Sequence, residues 1–308
     1  MRQAGHITVL GVFVADTTYR ADRAPSMGET LLGNSFALGP GGKGSNQAVA
    51  AARLGGDVSI ITRLDDDAFA DMAQGIWSST GVKSAALRDP DTYTGAASIF
   101  VEDASGDNAI IVCPGAASDL SPRDLEQNAD LVRSSSIFMT QLEQPLEAAE
   151  FGLSMAREAG VTTILNPAPA AKLSGQLLEL CDFATPNETE AGMLTGINVE
   201  TVEDAKKAAG RLVEMGVGSA VITLGADGAL YHGPEGTVHV PAFDAGPVVE
   251  TTGAGDAFNG GLAVGLAENM SAFDAVYLGC ATASLSVTRP GTSQSMPDRQ
   301  QVDALLKQ

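Results

Sequence analysis

The feature that most constrains the fold is a regular alternation of short apolar runs with helical patterns along the 308 residues. The apolar runs are rich in β-branched residues, which is typical of buried strands. They lie at 7–15, 58–64, 135–140, 161–165, 182–185 and 219–224. Helical patterns separate them, at 43–54, 146–159, 187–195 and 203–215. Such alternation predicts an α/β fold, a three-layer α/β/α domain with a central, mostly parallel sheet covered by helices on both faces.

Two segments depart from the alternation. Residues 29–38 and 94–113 alternate polar with apolar side chains, and a turn centred on Gly106 separates strands at 96–102 and 108–113. We expect about 14–40 and 94–113 to supply a small β-sheet lid on a single domain that spans 1–308. The remaining pattern, after Gly255, is helical, at 257–267, 271–287 and 298–306.

The charge balance excludes one class of partner. Eighteen Lys and Arg against 38 Asp and Glu leave a net charge of −20, which argues against binding to nucleic acid or to an anionic membrane. The run at 7–15 is too short to span a bilayer, and we interpret it as a buried strand rather than a secretion signal. Three scattered cysteines, Cys113, Cys181 and Cys280, are interpreted as reduced core thiols of a cytoplasmic protein.

The first glycine cluster, at 39–46, contains a formal GxGxxG. It follows the first strand too late for a dinucleotide fingerprint, and Gly44 stands where a P-loop needs Ser or Thr. What remains is a glycine-rich turn at a helix N-terminus, which lets a ligand approach the backbone. Lys43 and Asn46 suit recognition of hydroxyl or phosphate groups. The alternative is a tight turn with a solvated lysine.

The second cluster, at 250–261, places small residues before a helix. Gly253, Ala254 and Gly255 can point backbone N–H groups at one spot, where the helix dipole favours an anion. Asp256 lies beside this anion hole. A carboxylate there can accept a proton from a hydroxyl during phosphoryl transfer, while nearby donors stabilise the transferred group. The alternative is that Asp256 only caps the helix.

A third segment begins where a strand enters a helix, at the sheet edge where α/β proteins bind ligands. Asn187 and Glu190 lie three residues apart and face the same way. Glu190 could hold Mg²⁺ through water, because magnesium keeps much of its hydration shell. The alternative is a capping arrangement.

These segments resemble the signatures of the ribokinase-like (PfkB) carbohydrate kinases, and within that family the bacterial ribokinases. The first signature is similar to GGKGSNQA at 41–48, the second to TTGAGDAFNG at 251–260, and the NxxE motif to 187–190. They occur in family order and spacing. Supporting stretches lie at 28–30, 141–143, 166–170 and 222–225. The resemblance implies ATP-dependent phosphorylation of the 5-hydroxyl of D-ribose, which yields D-ribose 5-phosphate and ADP.

The resemblance also implies roles for individual residues. Asp256 would be the catalytic base, with Gly253, Ala254 and Gly255 as the anion hole. The sugar would be bound by Asp16, Gly42, Lys43, Gly44, Asn46, Glu143 and Asp256. ATP would lie along Asn187, Thr223, Gly225, Gly228, Gly255 and Cys280, with Glu190 organising Mg²⁺. An activating monovalent cation, K⁺, would be held by Glu250, Thr252, Ser286, Arg289, Gly291 and Ser295. The family's lid implies a homodimer.

Three positions depart from the family pattern. Val14 replaces an asparagine that contacts the sugar, Glu250 replaces an aspartate of the cation site, and Cys280 replaces a histidine near the adenine. Val14 cannot hydrogen-bond a hydroxyl, so 2-deoxyribose, another furanose or a nucleoside are alternative substrates. From other classes, a non-catalytic sugar-binding regulator would not need Asp256, and an NAD-dependent oxidoreductase would depend on the GxGxxG alone.

Overall fold

The computed structural model describes residues 5–308. It contains two sheets and helices on both faces of the larger one. The strands are β1 (His6–Leu10), β2 (Val14–Ala21), β3 (Ser35–Gly41), β4 (Asp57–Leu64), β5 (Lys83–Arg88), β6 (Thr94–Glu102), β7 (Asn108–Gly115), β8 (Ile137–Thr140), β9 (Thr162–Leu165), β10 (Phe183–Ala184), β11 (Ser219–Thr223), β12 (Ala229–Gly233) and β13 (Gly236–Val240). The helices are α1 (Lys43–Arg53), α2 (Ala68–Thr80), α3 (Pro122–Gln127), α4 (Ala129–Arg133), α5 (Leu146–Glu158), α6 (Gly175–Leu178), α7 (Glu188–Thr195), α8 (Val202–Glu214), α9 (Ala254–Ala267), α10 (Ala272–Ser286) and α11 (Arg299–Leu305).

The large sheet has nine strands in the order β13-β12-β11-β10-β9-β8-β1-β4-β5. Within this sheet, each neighbouring pair from β11 across to β5 is parallel. Only β12 and β13 pair antiparallel, at one edge. Parallel strands need crossover connections, which the intervening helices supply. The prediction of a central, mostly parallel sheet is therefore confirmed.

Side chains of the central strands alternate between the two faces of this sheet. Ile7 and Val9 of β1 pack into a core with α1, α2, α9, α10 and α11. Leu10 points the opposite way, into a core with α3, α4 and α5. Because successive side chains of a strand face opposite sides, an uninterrupted apolar strand needs cover on both. The result is the predicted α/β/α arrangement of three layers.

The small sheet has four strands in the order β3-β2-β6-β7. The predicted 94–113 hairpin forms β6 and β7. In the 29–38 segment the strand begins only at Ser35. β2 pairs antiparallel with β3 and parallel with β6, so the small sheet is mixed.

The predicted strand at 7–15 was wrong in one respect. The apolar run is divided between β1 of the large sheet and β2 of the small one, with residues 11–13 between them. Val12 and Phe13 are fully buried in the crossing, which keeps the run apolar although the strand has ended. Periodicity reports burial and cannot show that a buried chain changes sheets.

Two observations bear on the expectations about compartment. Cys181 and Cys280 are buried, but Cys113 lies exposed on β7, so the prediction that all three are core thiols was wrong. β7 is an edge strand of the small sheet, and its open face explains why Cys113 is exposed. No helix within residues 5–308 has both the length and the apolar character needed to cross a membrane.

Candidate active site

The N-terminus of α1 lies directly against the end of β1, and glycines make this possible. A Cβ atom on Gly44 would lie 2.6 Å from the Cα of Gly11, closer than real Cβ contacts. Gly42, just before the helix, has a φ of 86°, a conformation that favours glycine. The first glycine cluster therefore brings the first turn of α1, including Lys43 and Asn46, onto the carboxyl edge of the large sheet.

The N-terminus of α9 meets α1 at the same place. Asp256, in the first turn of α9, is only 6% exposed. Its Oδ2 accepts a hydrogen bond from Asn46 Nδ2 at 3.1 Å, and its Oδ1 accepts one from Gln47 Nε2 at 3.0 Å. Its carboxylate is thus held by side chains of α1, which argues against the interpretation that Asp256 only caps its own helix.

Two of the three residues predicted for an anion hole lie at the cavity. Gly253, at the N-cap of α9, and Gly255 both line a cavity of about 160 Å³. The N–H of Ala254 donates to the carbonyl of Thr251 at 3.1 Å, so the prediction that Ala254 contributes a free donor was wrong. A φ of 84° at Gly253 turns the chain so that this bond forms. The helix dipole still concentrates positive potential at this end of α9.

Charges around Asp256 are strongly coupled. Burial raises the pKa of Asp256, while the Lys43 ammonium and the amides of Gln47 and Asn46 lower it, and the net direction is upward. Burial lowers the pKa of Lys43, but the carboxylates of Asp256, Glu143 and Glu190 outweigh burial and raise it. Lys43 therefore stays a cation at the cavity wall, where it can offset the charge of an anionic group.

Two further carboxylates lie on the small-sheet side of Lys43. Glu143 Oε2 accepts the Lys43 backbone N–H at 2.8 Å. The Asp16 carboxylate lies over Gly41, where a side chain would occupy its place. Burial raises the pKa of each to about 7, and the nearby Asp256 charge adds to the effect. Such carboxylates, close to a cation and only partly hydrogen-bonded, are suitable acceptors for hydroxyl groups.

The cavity itself joins residues from several segments. Those predicted for the site are Lys43, Asn187, Glu190, Thr223, Gly253, Gly255 and Asp256. Those that the sequence reasoning did not single out are Asn166, Ala168, Thr185 and Asn259. The volume is below the roughly 300–1,000 Å³ of sites that enclose a drug-sized ligand. It therefore suits the reacting ends of two substrates, with the rest of a larger molecule outside it.

The side-chain amide of Asn46, which is predicted to bind the sugar, forms hydrogen bonds with other protein groups. Its Nδ2 donates to Asp256, and its Oδ1 accepts from Ser293 Oγ at 2.6 Å. Its amide is thus oriented toward Asp256 by a residue from the far end of the chain. Contact of Asn46, Gly42 or Gly44 with a sugar stays a prediction.

Glu190 lines the cavity and also closes a capping box. Its Oε2 accepts the Asn187 N–H, and Asn187 Oδ1 accepts the Glu190 N–H, both at 2.8 Å. The capping interpretation is confirmed. Within residues 5–308 no three His, Cys, Asp or Glu side chains converge tightly enough to hold a metal ion. A single carboxylate fits Mg²⁺, which binds mainly through its own waters and phosphate oxygens.

Of the residues predicted to bind the nucleotide, Asn187, Thr223 and Gly255 line the cavity, whereas Gly225, Gly228 and Cys280 do not. Asn187 and Thr223 are joined by an isolated parallel bridge, and Gly225 and Gly228 shape the turn that follows β11. Cys280 is buried inside α10, its Sγ 3.9 Å from the Val240 carbonyl, and does not line the cavity. Burial raises the pKa of its thiol to about 12.

The two loops of the predicted cation site lie side by side. The N–H groups of Val249 and Glu250 both donate to the Val287 carbonyl, at 2.8 and 3.2 Å. Glu250 Oε2 in turn accepts the Gly291 N–H at 2.9 Å. The Ser286 and Ser295 hydroxyls donate to the carbonyls of Ala283 and Thr292. Carboxylate, carbonyl and hydroxyl oxygens are donors that suit a hard cation, and a cation site at these loops stays a prediction. The longer Glu250 side chain reaches across to the second loop in this arrangement.

Several buried amides of the site escaped the sequence reasoning. Gln47, Asn166 and Asn259 form hydrogen bonds beneath the cavity. Each lies inside a signature or supporting stretch, at 41–48, 166–170 and 251–260. The signal was therefore present, but a motif does not show which neighbour an amide faces.

The chain is similar to carbohydrate kinases in both sequence and structure. The model of the pfkB family of carbohydrate kinases matches residues 5–299. A ribokinase of Haemophilus influenzae is 38% identical over 302 residues, covering 98% of both chains. A deoxyribokinase of Salmonella typhi is 37% identical over 302 residues, covering 97% of this chain and 98% of its own. The structure of Arabidopsis thaliana ribokinase complexed with ribose and ATP superposes with a TM-score of 0.90 at 30% identity, covering 99% of both chains.

Proposed function

The chain belongs to the pfkB family of carbohydrate kinases, and we propose that it transfers the γ-phosphoryl group of ATP to the 5-hydroxyl of D-ribose. The observation that carries this proposal is the buried Asp256 carboxylate beside the N-terminus of α9, in a cavity that Lys43 also lines. A non-catalytic binder has no use for this combination. Similarity over nearly the full length to a ribokinase and a deoxyribokinase supports a pentose as the acceptor.

The reaction follows from the charges of the site. Asp256 accepts the proton of the sugar 5-hydroxyl, and the hydroxyl oxygen forms a bond to the γ-phosphorus of ATP. The bond between the γ-phosphorus and the β–γ bridging oxygen breaks at the same time, which releases ADP. The Gly253 and Gly255 backbone and the Lys43 ammonium stabilise the negative charge of the transferring group. Glu190 would hold Mg²⁺ through water, and that ion would neutralise phosphate charge. These local positive groups explain how a chain of net charge −20 can bind ATP.

Sugar binding is expected to strengthen as pH rises through neutrality. Asp16 and Glu143, whose pKa values burial raises to about 7, accept sugar hydroxyls best when ionised. The KM for the sugar should fall about tenfold between pH 6 and 8, as the ionised fraction of one such group rises. Steady-state kinetics across this range measure it, with the KM for ATP as the internal control.

The same pKa shifts act in the opposite direction on folding. Because the folded chain keeps protons that the unfolded chain releases near pH 4, these two groups stabilise the fold most below that pH. Their contribution is lost as pH rises through 7.

Two outcomes would contradict the assignment of Asp16 and Glu143 to sugar binding. One is a sugar KM that stays flat from pH 6 to 8, and the other is an unchanged pH trend in the double variant Asp16→Asn, Glu143→Gln.

The sugar itself is decided by a substrate panel. Val14, almost fully buried at the start of β2, carries no hydrogen-bonding group. A site that binds a hydroxyl through a buried polar partner rejects the analogue without it by about 10⁴–10⁵, whereas apolar pockets discriminate only about 10–200-fold. We therefore expect ribose to be preferred over 2-deoxyribose by less than about a hundredfold in kcat/KM.

ADP release over pentoses, hexoses and nucleosides provides the measurement, and Val14→Asn is the matched variant. That variant should increase the preference for ribose. Turnover of a nucleoside or another furanose above that of ribose would replace the proposed substrate, and sugar binding without ADP release would indicate a regulator. A preference for ribose of 10⁴ or more in the wild type would exclude 2-deoxyribose as a competitor.

We also propose K⁺ as an activating ion between the loops at 249–252 and 286–295. The carboxylate of Glu250 and the surrounding carbonyl and hydroxyl oxygens support this assignment. Its position next to Gly253 would let a cation add positive potential to the anion hole.

The small sheet is proposed to be the lid of one kinase domain spanning the chain, and the contact surface of a homodimer. One strand of it, β2, carries Asp16 into the site. The sheet also exposes large apolar side chains that a second copy would cover; they are Tyr19, Phe36, Leu38, Ile110, Ile111 and Val112. A cytoplasmic location is proposed because free thiols and ATP use suit a reducing compartment.

A further inference from the structure

A chain of buried amides leads to the carboxylate of Asp256 from the opposite side of α1. Gln141 Nε2 donates to Gln47 Oε1 at 2.6 Å, and Gln47 Nε2 donates to Asp256 Oδ1 at 3.0 Å. We name this sequence of bonds, Gln141 to Gln47 to Asp256, the amide relay. Both glutamines are fully buried, so water does not compete for these groups.

The relay has one direction. Gln47 Nε2 also donates to Asn166 Oδ1 at 3.1 Å, while Asn166 Nδ2 donates to the Thr185 carbonyl at 3.0 Å. If the Gln47 amide were reversed, its oxygen would face two acceptors, on Asp256 and Asn166, and its nitrogen would face the donor of Gln141. Hydrogen bonding on all sides therefore fixes the Gln47 amide with its N–H groups toward Asp256.

Gln141 has no direct bond to Asp256 and is held for the relay alone. Its nitrogen bonds Gln47, and its Oε1 is buried without a partner within the described residues. A buried acceptor left unpaired destabilises a fold. Gly11 lacks a side chain where this oxygen lies, and any Cβ atom there would overlap it. The chain thus tolerates an unsatisfied group in order to orient Gln47.

We propose that Gln47 and Gln141 are positioning residues that keep Asp256 ionised and oriented toward the acceptor hydroxyl. This rests on the proposed function, in which Asp256 is the base. An ionised carboxylate accepts hydrogen bonds only, so the N–H of Gln47 stabilises the form that can take a proton. Without it, burial would favour the neutral acid, which cannot. Gln141 acts indirectly: together with Asn166, it fixes which end of the Gln47 amide faces Asp256.

Other charges also face Asp256 and set the background for this effect. They come from four different elements or loops: Lys43 on α1, Asp16 on β2, Glu143 after β8 and Glu190 on α7. The sugar-side carboxylates titrate near neutrality in the free enzyme. The relay must therefore be tested with sugar and ATP saturating, where the pH profile reports groups of the bound complex.

The experiment is a single-turnover pH profile of ADP formation in variants of the relay. Gln47→Met removes the donor and keeps similar volume. We expect its rate to fall about tenfold or more, and its acid limb to move up by about one pH unit, because one bond to a charged group is lost. Gln141→Met should shift the limb in the same direction by less, with the sugar KM unchanged.

The variant Gln141→Glu distinguishes an effect on the orientation of the Gln47 amide from an effect on packing at position 141. A carboxylate at 141 cannot donate to Gln47 Oε1, and it attracts the Gln47 N–H groups instead. That reversal points the Gln47 oxygen at Asp256, and the added negative charge also disfavours ionised Asp256, so the acid limb should move further upward than in Gln141→Met. Mere loss of packing would predict the opposite order, since the glutamate keeps the shape of the native side chain.

Gln144→Met is the matched control. Gln144 is a buried amide on the same segment, bonded to Thr140 Oγ1 and the Gln141 carbonyl but not to Gln47. It should lower the melting temperature with the acid limb unmoved. Wild-type acid limbs in both Gln141 variants, or an equal shift in Gln144→Met, would overturn the proposal. Failure of the proposed function would appear separately, as no ADP formation in the wild type or full activity in Asp256→Asn.

Discussion

Replacing Asp256 by asparagine is expected to lower turnover by about 10²–10⁴-fold while sugar binding persists. The amide has nearly the same shape, and its oxygen can still accept from Asn46 or Gln47. It cannot take the proton of the attacking hydroxyl, so only the chemical step is lost. ADP release measures turnover, and calorimetric titration measures the sugar dissociation constant.

Asp274 offers a matched control for this substitution. It occupies the third position of α10, as Asp256 does in α9, but it is exposed. Its Oδ2 accepts a hydrogen bond from Ser271 Oγ, and its backbone N–H donates one to the same hydroxyl. Asp274→Asn should leave turnover unchanged and affect only the stability of α10. Turnover within tenfold of wild type in Asp256→Asn would show that another group accepts the proton, and loss of sugar binding would assign Asp256 to recognition instead.

Gly44→Ala is expected to destabilise the fold by about 1–3 kcal/mol and to lower activity as well. The added Cβ atom would lie 2.6 Å from Gly11 Cα and 2.9 Å from Val12 N. Both are backbone atoms at the end of β1, so relief requires α1 to move away from the sheet. Because α1 carries Asn46 and Gln47, that movement also displaces the donors that hold Asp256. Urea unfolding and single-turnover rates measure the two effects.

The control is Gly75→Ala in α2. Gly75 is exposed, and apart from its chain neighbours and the nearby backbone of α2 no atom of the described residues lies within 4 Å of the position that its Cβ would take. Alanine is a better helix former by about 1 kcal/mol, so this variant should be slightly more stable and fully active. Wild-type stability and activity in Gly44→Ala would refute the account of close helix–strand contact.

Much of the fold was predictable because it depends on local patterns. The strand runs at 58–64 and 219–224 and the helix at 203–215 agree closely with β4, β11 and α8. Alternation of these elements requires crossover connections, and crossovers lead to a parallel sheet with cover on both faces. Burial alone did not distinguish one strand at 7–15 from two, because the crossing residues are as buried as the strands that they join.

The candidate site was predictable in its parts and not in its contacts. The glycine clusters identified the N-termini of α1 and α9, since few other roles require such residues before a helix. Asn46 and Asp256 stand 210 residues apart in the chain, and no local pattern records that the amide of one bonds the carboxylate of the other. The position of Cys280 near the adenine, which the resemblance implies, stays a prediction; its thiol is buried and lies 3.9 Å from the Val240 carbonyl.

Periodicity and residue type act over neighbouring positions, so they predict the layered α/β architecture, the helix N-termini that concentrate positive potential, and the carboxylate beside one of them. Contacts between distant segments are visible only in the folded chain: where the apolar run at 7–15 leaves the large sheet, the bond from the Ala254 N–H to Thr251, and the bonds of the Gln47 amide to Gln141 and Asp256. The reason is physical: hydrogen bonds are directional and buried amides have two different ends. Which end faces a carboxylate depends on every neighbour that packing brings together from distant parts of the chain.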